Sequence, residues 1–292
     1  MGSSPWSSRW RKKRRRIIKA VDKPAFTKTR LAKDLGISRS SLYYQPIKPQ
    51  QDWHLKNQIE LVLHAHPSYG HKRLALTLNL NKKKVLRVMH LFGIKPYRRR
   101  GRRYHRVKAN GSVYPNLIHE LPFPDKPNQI WASDFTHISF HGKFLYLATI
   151  KDVYDRRIVG WSLLTSHSVQ LVILALLHAV SRYGRPDILH SDQGSEYKSR
   201  PYTKLAEGLG IKLSMSHKGS PWENGYQESF YSHFKVDLGD PSRFATLGEL
   251  AFEIYYQMQY YNYRRIHSKL KMAPITYAKQ HNNLITKCVP HT

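Results

Sequence analysis

The pattern of apolar residues after Gln129 constrains the fold of this chain more than any other feature of its sequence. Three consecutive stretches have the apolar spacing of strands, at residues 131–140, 144–154 and 156–164. Helical patterns then alternate with short apolar strands, the helices at residues 168–184, 201–210 and 222–238 and the strands at residues 186–192 and 211–216. This order predicts an α/β domain over residues 129–280, with a mixed sheet and flanking helices.

Three acidic residues occupy unusual places in this pattern. Asp134 lies inside the first strand, Asp192 ends a short buried strand, and Glu228 lies in the first turns of the last helix. An unpaired buried carboxylate is costly, so such acids are usually paired or bound to metal. Taken singly, each acid has a structural explanation. Asp134 could pair with a buried arginine, Asp192 could cap a turn, and Glu228 could be an exposed helix residue.

Taken together, the three acids indicate a metal site. Converging carboxylates repel one another unless cations neutralise them, and ligand sets made only of oxygen suit Mg²⁺ or Mn²⁺. Two such ions can activate an attacking oxygen and stabilise a leaving one during displacement at phosphorus. The strand, strand, helix order of Asp134, Asp192 and Glu228 therefore favours phosphoryl-transfer chemistry with two cations.

Positive charge is concentrated in the first part of the chain. The sequence has 49 Lys and Arg against 19 Asp and Glu, and 29 of those basic residues lie within residues 1–110 beside only 4 acids. Basic side chains that neutralise phosphates release counterions, so such a region binds nucleic acid strongly. Residues 1–26 form a basic arm that either contacts phosphates or is a solvated tail. A solubilising or membrane-surface role for the charge is the alternative to DNA binding.

Residues 27–45 have the pattern of a helix-turn-helix unit. Apolar residues stand at helical spacing, Gly36 can end the first helix, and Ser38 can cap the second. The first residues of the second helix meet base edges in such units, which makes Arg39 and Ser40 candidates for reading DNA. A short helical pair of this kind also occurs by chance.

Residues 53–96 hold a second group of helical patterns. Asn81 can cap the third of these helices, Gly93 can end it, and Lys83 and Arg87 decorate it. The group is either a second DNA-binding module, contacted through Lys83 and Arg87, or a small helical bundle with a solvated basic face.

The remaining segments are predicted to connect or flank these units. Residues 46–52 read as a linker, residues 97–128 as a basic connector punctuated by prolines, and residues 281–292 as a C-terminal tail. Cys288 is the single cysteine, which excludes a disulfide within the chain and a cysteine-based zinc site, and fits a reducing cytosol. The longest apolar run, residues 171–177, is too short to cross a bilayer.

Several stretches carry a resemblance to a known family. They read WASDFTHI at 131–138, YLATIKDVYDRRIVGW at 146–161, HSDQGSEY at 190–197, SHKGSPWENGYQESFYSHFK at 216–235, YNYRRIHSKLKMAP at 261–274 and, upstream, HPSYGHKRLALTL at 66–78 and NKKKVLRVMHLFGIKP at 81–96. Together they resemble the second-frame product of the third insertion-sequence family of bacterial transposases, in the retroviral-integrase superfamily. That family's core has an RNase H-like fold. The 35 residues between Asp192 and Glu228 match its D,D(35)E pattern.

The resemblance implies roles for individual residues. Asp134, Asp192 and Glu228 correspond to the catalytic metal ligands of the family, whereas the nearby rivals Glu196 and Glu223 do not give the expected interval. Lys235 lies two helical turns after Glu228 and corresponds to a basic family residue. We interpret it as a contact to the DNA end near the scissile phosphate, with a solvated helix lysine as the alternative.

Other residues of these motifs are less tightly assigned. Tyr231 and Ser232 share the helix face of Lys235 and are weaker candidates for DNA contact. Asp152 and Asp155 are expected to be structural, pairing with Arg156 or Arg157. The sequence alone assigns no role to the motif at 261–274.

The resemblance also implies the reaction. A DDE-type transposase cleaves DNA at the element ends and transfers the freed strand into target DNA, with Mg²⁺ or Mn²⁺ as cofactor. Transposon ends and target DNA would be its partners. We expect a homo-oligomer on DNA in the bacterial cytoplasm, with the product of an upstream reading frame as a further partner and no membrane. The alternatives are a protein that only hydrolyses DNA and a catalytically inactive DNA-binding regulator derived from a transposase. The intact acidic triad argues against the second alternative.

Overall fold

The computed structural model describes residues 48–97, 114–119, 121–217 and 225–281, with a few isolated positions before residue 48. The basic arm, most of the predicted helix-turn-helix at 27–45 and the C-terminal tail lie outside the described residues.

Residues 48–97 contain three helices packed around a small core. They are α1 (Lys48–Ala65), α2 (His71–Thr77) and α3 (Lys82–Leu91). The core residues share complete or near-complete burial and are Leu55, Ile59, Tyr69, Leu74, Ala75, Val85, Val88 and Met89. We call residues 48–97 the helical module.

The ends of α3 are those that the sequence predicts. The Asn81 side chain accepts a hydrogen bond from the Lys83 amide at 2.8 Å, which caps the helix. Gly93 follows the helix with a φ of 66°, a conformation that glycine adopts at no steric cost. The predicted linker at 46–52 is wrong over its described part, because α1 begins at Lys48. Pro49 does not prevent this, since the first turn of a helix tolerates a missing amide donor.

The second unit is a mixed sheet of five strands, as counted over the described residues. The strands are β1 (Ile130–Phe140), β2 (Lys143–Asp152), β3 (Ile158–Leu164), β4 (Ile188–Ser191) and β5 (Lys212–Met215). Their order across the sheet is β3-β2-β1-β4-β5. The first three pair antiparallel, whereas β4 and β5 run parallel to β1. The predicted RNase H-like α/β fold is confirmed.

Helices cover both faces of the sheet. They are α4 (Val169–Tyr183), α5 (Ser195–Lys198), α6 (Arg200–Gly208), α7 (Gly225–Leu238), α8 (Leu247–Tyr263) and α9 (Pro274–His281). The core on one face includes Trp131 of β1 and the apolar side of α4. The core on the opposite face includes Ile138 of β1, Phe230 of α7 and Ile254 of α8. Alternate residues of β1 therefore face different helical layers.

The described part of the predicted connector packs on this unit. The Met215 amide donates to the Pro115 carbonyl at 3.3 Å, and the Leu117 amide donates to Ser214 Oγ at 3.0 Å. Residues 114–119 thus run along the outer edge of β5. None of the described helices is long and apolar enough to cross a membrane.

A lysine of β2 lies in the interior of the fold. Lys151 is only 3% exposed, and its ammonium lies 5.8 Å from the ring centre of Phe230 and 5.6 Å from that of Tyr261. Burial lowers the pKa of Lys151 to about 7, and the positive charges of Arg156 and Arg265 lower it further in the same direction. Folding at neutral pH therefore requires this side chain to give up part of its charge.

Replacing the buried lysine tests that cost. In the unfolded chain the lysine pKa is near its ordinary value of 10.5. Below pH 7 the full free-energy cost of burying this lysine is present, and that cost declines as the pH rises towards 10.5. We expect Lys151→Met to raise the Tm by several degrees at pH 7, where about 1 kcal/mol corresponds to roughly 2–4 °C. The gain should shrink towards pH 10 in thermal unfolding experiments.

The matched control is Lys143→Met, which removes an exposed lysine from the same strand. It should leave the pH dependence of the Tm unchanged. A Lys151→Met protein that is less stable than the wild type at pH 7 would show that the buried ammonium stabilises the fold.

Candidate active site

The pairing of β1 with β4 places two of the predicted acids at one level of the sheet. The strands run parallel, with Ala132 opposite His190. Asp134 lies two residues further along β1, and Asp192 lies two residues after His190, one residue past the end of β4. Neighbouring strands are about 4.8 Å apart, so this register brings the two acids side by side just beyond the carboxyl end of β4.

Each aspartate has one oxygen fixed by the backbone. Asp134 Oδ1 accepts from the Phe135 amide at 2.8 Å, and Asp192 Oδ1 accepts from the Gly194 amide at 2.9 Å. A Cβ on Gly194 would lie 3.0 Å from Asp192 Oδ1 and 3.2 Å from Glu196 Oε2. Glycine at this position lets the chain turn closely under the carboxylate.

The third acid, Glu228, is carried by α7, and the residue before it anchors that helix to the sheet. Gln227 is fully buried. Its amide nitrogen donates to the carbonyl oxygens of Ala132 on β1 and Thr149 on β2, the second bond measuring 3.2 Å. Thr149 Oγ1 lies 3.2 Å from Gln227 Oε1. The start of α7 is thus bonded to both central strands.

Tyr231 makes a second anchor one turn later. Its hydroxyl donates to the carbonyl oxygen of Asp134 at 2.7 Å and accepts from Thr149 Oγ1 at 2.9 Å. Thr149 is the β2 residue paired with Asp134. Gln227 and Tyr231 lie before and after Glu228 in α7, and the negative charge of Glu228 raises the pKa of Asp134. We call Gln227, Tyr231 and Thr149 the α7 clamp.

The electrostatics of the site centre on Asp134. Burial raises the pKa of this carboxyl to about 8, with further increases from the negative charges of Asp192 and Glu228. The Phe135 amide and the positive charge of Lys235 act in the opposite direction. Asp134 is therefore the acid whose charge is influenced by both other members of the predicted triad.

Asp192 has a different neighbour. Burial raises its pKa, the hydrogen bond from Gly194 lowers it, and the charge of Glu196 raises it. Glu196 itself is buried and pairs with His167, with 3.0 Å between Nε2 and Oε1. Within the described ranges, no three His, Cys, Asp or Glu side chains are close enough together to hold one metal ion as they stand.

The residues predicted to contact DNA differ in their exposure and in their bonding partners. Lys235 lines a cleft of about 360 Å³ with Tyr97, His137 and Phe144, between the end of the helical module and the β1–β2 hairpin. Lys83 is exposed on α3. Arg87 is also on α3, but its guanidinium makes two hydrogen bonds to Asp52, one of 2.8 Å and one of 2.5 Å.

The two residues predicted to read bases can be described only in part. Arg39 is exposed and helical, whereas Ser40 lies outside the described residues. Of the two acids expected to be structural, Asp155 forms a buried ion pair with Arg157 at 2.7 Å. Asp152 Oδ2 accepts from the Asn128 amide at 2.8 Å.

The clamp is the part of the site that sequence analysis missed. Because Tyr231 shares a helix face with Lys235, the sequence makes it a weaker candidate for contact with DNA. The structure buries Tyr231 against the sheet instead. One signal was present, because Thr149 is a polar residue inside an apolar strand that antiparallel pairing can place opposite Asp134.

Comparisons with known proteins agree with this fold. Two family models described as the integrase core domain match residues 124–221 and 209–274. The chain is 36% identical to the transposase for insertion sequence element IS904 of Lactococcus lactis, over 78% of this chain and 95% of that protein. It is 30% identical to the putative transposase InsK for IS150 of Escherichia coli, over 84% of this chain and 90% of that protein.

Solved structures with a similar fold come from retroviral integrases. The HTLV-2 integrase catalytic core domain in complex with magnesium has a TM-score of 0.45 and 20% identity, and covers 52% of this chain and 97% of that one. An intasome of simian T-cell lymphotropic virus has a TM-score of 0.48 and 16% identity, and covers 80% of this chain and 78% of that one. The sequence relatives carry the assignment: the chain belongs to the transposases of the third insertion-sequence family, within the retroviral-integrase superfamily.

Proposed function

We propose that this protein is a DDE-type transposase in which Asp134, Asp192 and Glu228 bind the divalent cations for cleavage at transposon ends and strand transfer into target DNA. The observation that carries the proposal is the state of Asp134. Its side chain is half-buried, and desolvation together with the negative charges of Asp192 and Glu228 raises its pKa to about 8. The ionised form of Asp134 is therefore disfavoured in the absence of a cation, and a bound divalent cation would stabilise it.

The donor set fits Mg²⁺ or Mn²⁺. The three proposed ligands are carboxylates, and hard divalent cations prefer oxygen ligands while keeping positions for water and phosphate. When bound, two such ions activate the attacking oxygen and stabilise the leaving one. Since no three described acids surround a common point as they stand, we expect cations and a DNA phosphate to draw the carboxylates together.

The reaction needs no covalent protein intermediate. In the first step a water oxygen attacks phosphorus at the element end, the bond from phosphorus to the 3′ oxygen breaks, and a 3′-hydroxyl is released. In the second step that hydroxyl attacks a phosphodiester of the target. One phosphorus–oxygen bond forms as the bond from phosphorus to the target's 3′ oxygen breaks, and the proton lost by the attacking hydroxyl is balanced by the one that the leaving oxygen takes up. Strand transfer therefore requires no external energy source.

Lys235 contributes positive charge at the same place. It lies on α7 after Glu228, and its charge lowers the pKa of Asp134. A lysine here can hold a phosphate of the DNA end and offset the negative charge that develops during displacement. The cleft that Lys235 lines opens between the helical module and the β1–β2 hairpin, and we propose that the DNA strand passes there.

Two DNA ends have to be cut and joined to one target in this reaction. We therefore infer that the protein acts as a homo-oligomer on DNA, with one copy at each end. The Lys- and Arg-rich residues 1–110 are proposed to bind the ends, with Arg39, Ser40, Lys83 and Arg87 among the contacts. Arg87 would exchange its bond with Asp52 for one with a phosphate.

Removing single carboxylate charges tests the catalytic assignment. Asp192→Asn or Glu228→Gln should reduce cutting and joining of end-containing DNA in Mg²⁺ to background, because the cations lose a ligand. DNA binding in a mobility-shift assay should remain within about twofold. The assay scores joined products as well as nicks, so an enzyme that only hydrolyses DNA is distinguished from a transposase.

The control is Asp187→Asn, which neutralises an exposed acid just before the opposite end of β4. It should cut and join like the wild type. Full activity of purified Asp192→Asn protein would contradict the proposed role of Asp192.

The α7 clamp gives a separate prediction. Tyr231→Phe removes the hydroxyl that fixes Asp134 relative to Glu228 and keeps the ring that packs in the core. We expect the Mg²⁺ concentration for half-maximal cleavage to rise about tenfold, because groups that orient metal ligands typically have effects of that size. Cleavage at saturating Mg²⁺ should be much less affected.

Tyr261→Phe is the matched control. Tyr261 belongs to the same core, and its hydroxyl donates to the Arg156 carbonyl at 3.1 Å, away from the acids. Tyr261→Phe removes one buried hydrogen bond and should cost about 1 kcal/mol, whereas Tyr231→Phe removes two and should cost about 1–3 kcal/mol. An equal Mg²⁺ requirement in the two variants would mean that the clamp only stabilises the fold.

A further inference from the structure

Arg265 lies between the helical module and the sheet unit and is bonded to both. Its side chain is 2% exposed. The guanidinium Nε donates to Asp237 Oδ2 on α7 at 2.6 Å, and Nη2 donates to Ser68 Oγ in the turn between α1 and α2 at 2.8 Å. One side chain therefore connects the module with the helix that carries Glu228.

Two neighbouring contacts reinforce the junction. The Ile266 amide donates to the Tyr69 hydroxyl at 2.8 Å, and the Ile266 side chain packs against the core of the module. His66 Nδ1 lies 2.6 Å from the Tyr260 hydroxyl. Residues 66–69 of the module and residues 260–266 at the end of α8 are thus joined at three points. We call these two segments the junction.

The same stretch of chain is also fixed to the sheet. The Asn262 side chain accepts from the Ile158 amide and donates to the Ile158 carbonyl, both at 2.9 Å, which holds the start of β3. The motif at 261–274, to which the sequence assigns no role, begins with this contact. The structure shows its first residues bonded to the sheet, to α7 and to the module.

An arginine suits this position because its planar fork donates in fixed directions. A buried ion pair adds little stability compared with apolar packing, but it constrains geometry strongly. Asp237 is the acid paired with Arg265, and burial, reinforced by the charges of Arg265 and Arg73, lowers the pKa of the neighbouring His233 to about 4. That histidine is neutral at physiological pH. We infer that the pair of Arg265 and Asp237 serves mainly to fix the orientation of α7 relative to the helical module, and contributes less to the stability of the fold.

We propose that Arg265 is a positioning residue that sets the distance between DNA held by the helical module and the carboxylates on the sheet. Asp237 lies on α7 two residues after Lys235, so the ion pair fixes the end of the helix that faces the DNA path. A rigid junction presents one phosphodiester to Asp134, Asp192 and Glu228. This inference rests on the proposed transposase function and deepens it, because it assigns the accuracy of the cut to a contact outside the acidic site.

The test is the position of the cut. The full chain is incubated with end-labelled DNA that carries the element ends in Mg²⁺, and products are mapped at single-nucleotide resolution. Wild-type protein should cut at one dominant position. Arg265→Lys keeps the charge but cannot bond Asp237 and Ser68 with the same geometry. It should spread the cuts over neighbouring phosphodiesters, with the dominant product reduced severalfold.

The matched control is Arg157→Lys. Arg157 also forms a fully buried ion pair with an aspartate, Asp155, but both residues lie in the turn between β2 and β3. This variant should lose thermal stability and still cut at the wild-type position. A single cut position in active Arg265→Lys protein would overturn the proposal. If Arg265→Lys does not fold, Ser68→Ala can be used instead. It removes only the bond on the module side and should spread the cuts over neighbouring phosphodiesters, with a smaller loss of the dominant product.

A second measurement does not require activity. Hydrogen exchange should accelerate at residues 66–69 and at residues 233–238 in Arg265→Lys, and only around residues 152–158 in Arg157→Lys. Unchanged protection of residues 66–69 in folded Arg265→Lys would show that Arg265 does not hold the module. Wild-type protein that cuts no DNA would contradict the proposed function, and the exchange pattern would still decide whether Arg265 joins the two units.

Discussion

The parallel pairing of β1 with β4 is the constraint on which the rest of the site depends. It sets Asp134 of β1 level with Asp192, the residue that follows the end of β4. The antiparallel pairing of β1 with β2 then sets Thr149 opposite Asp134, where its hydroxyl reaches Tyr231. The position of α7, and with it that of Glu228, is therefore tied to two strand registers.

Helix α7 has to satisfy three requirements along fourteen residues. Phe230 and Phe234 pack in the core, Gln227 and Tyr231 bond the sheet, and Glu228 and Lys235 are half-buried at the site. These sets interleave at helical spacing, so a change that improves packing also moves a charged group. Proteins often accept such a compromise where a buried charge is useful, as with the raised pKa of Asp134.

Local patterns in the sequence were sufficient for much of this structure. Apolar spacing indicates the strands, Asn81 and Gly93 mark the ends of α3, and the sequence places Asp134 within a strand, Asp192 at a strand end and Glu228 in the first turns of a helix. Contacts between distant segments could not be predicted, because they leave no local signal. Tyr231 bonds a residue 97 positions away, and Arg265 bonds Ser68 across 197 positions. Sequence analysis also gave no helix over Leu247–Tyr263, where buried and exposed aromatic residues are interspersed.

The junction also affects how relatives of this protein can be recombined. The basic connector looks like the natural place to exchange one helical module for another, since residues 98–113 separate the two units in the chain. The contacts run elsewhere, from residues 66–69 to residues 260–266. A chimera that takes the module alone would pair a foreign turn with the native Arg265. Exchanging both segments together preserves the contact. A chimera should therefore be designed around the contact between residues 66–69 and residues 260–266, and not around the connector alone.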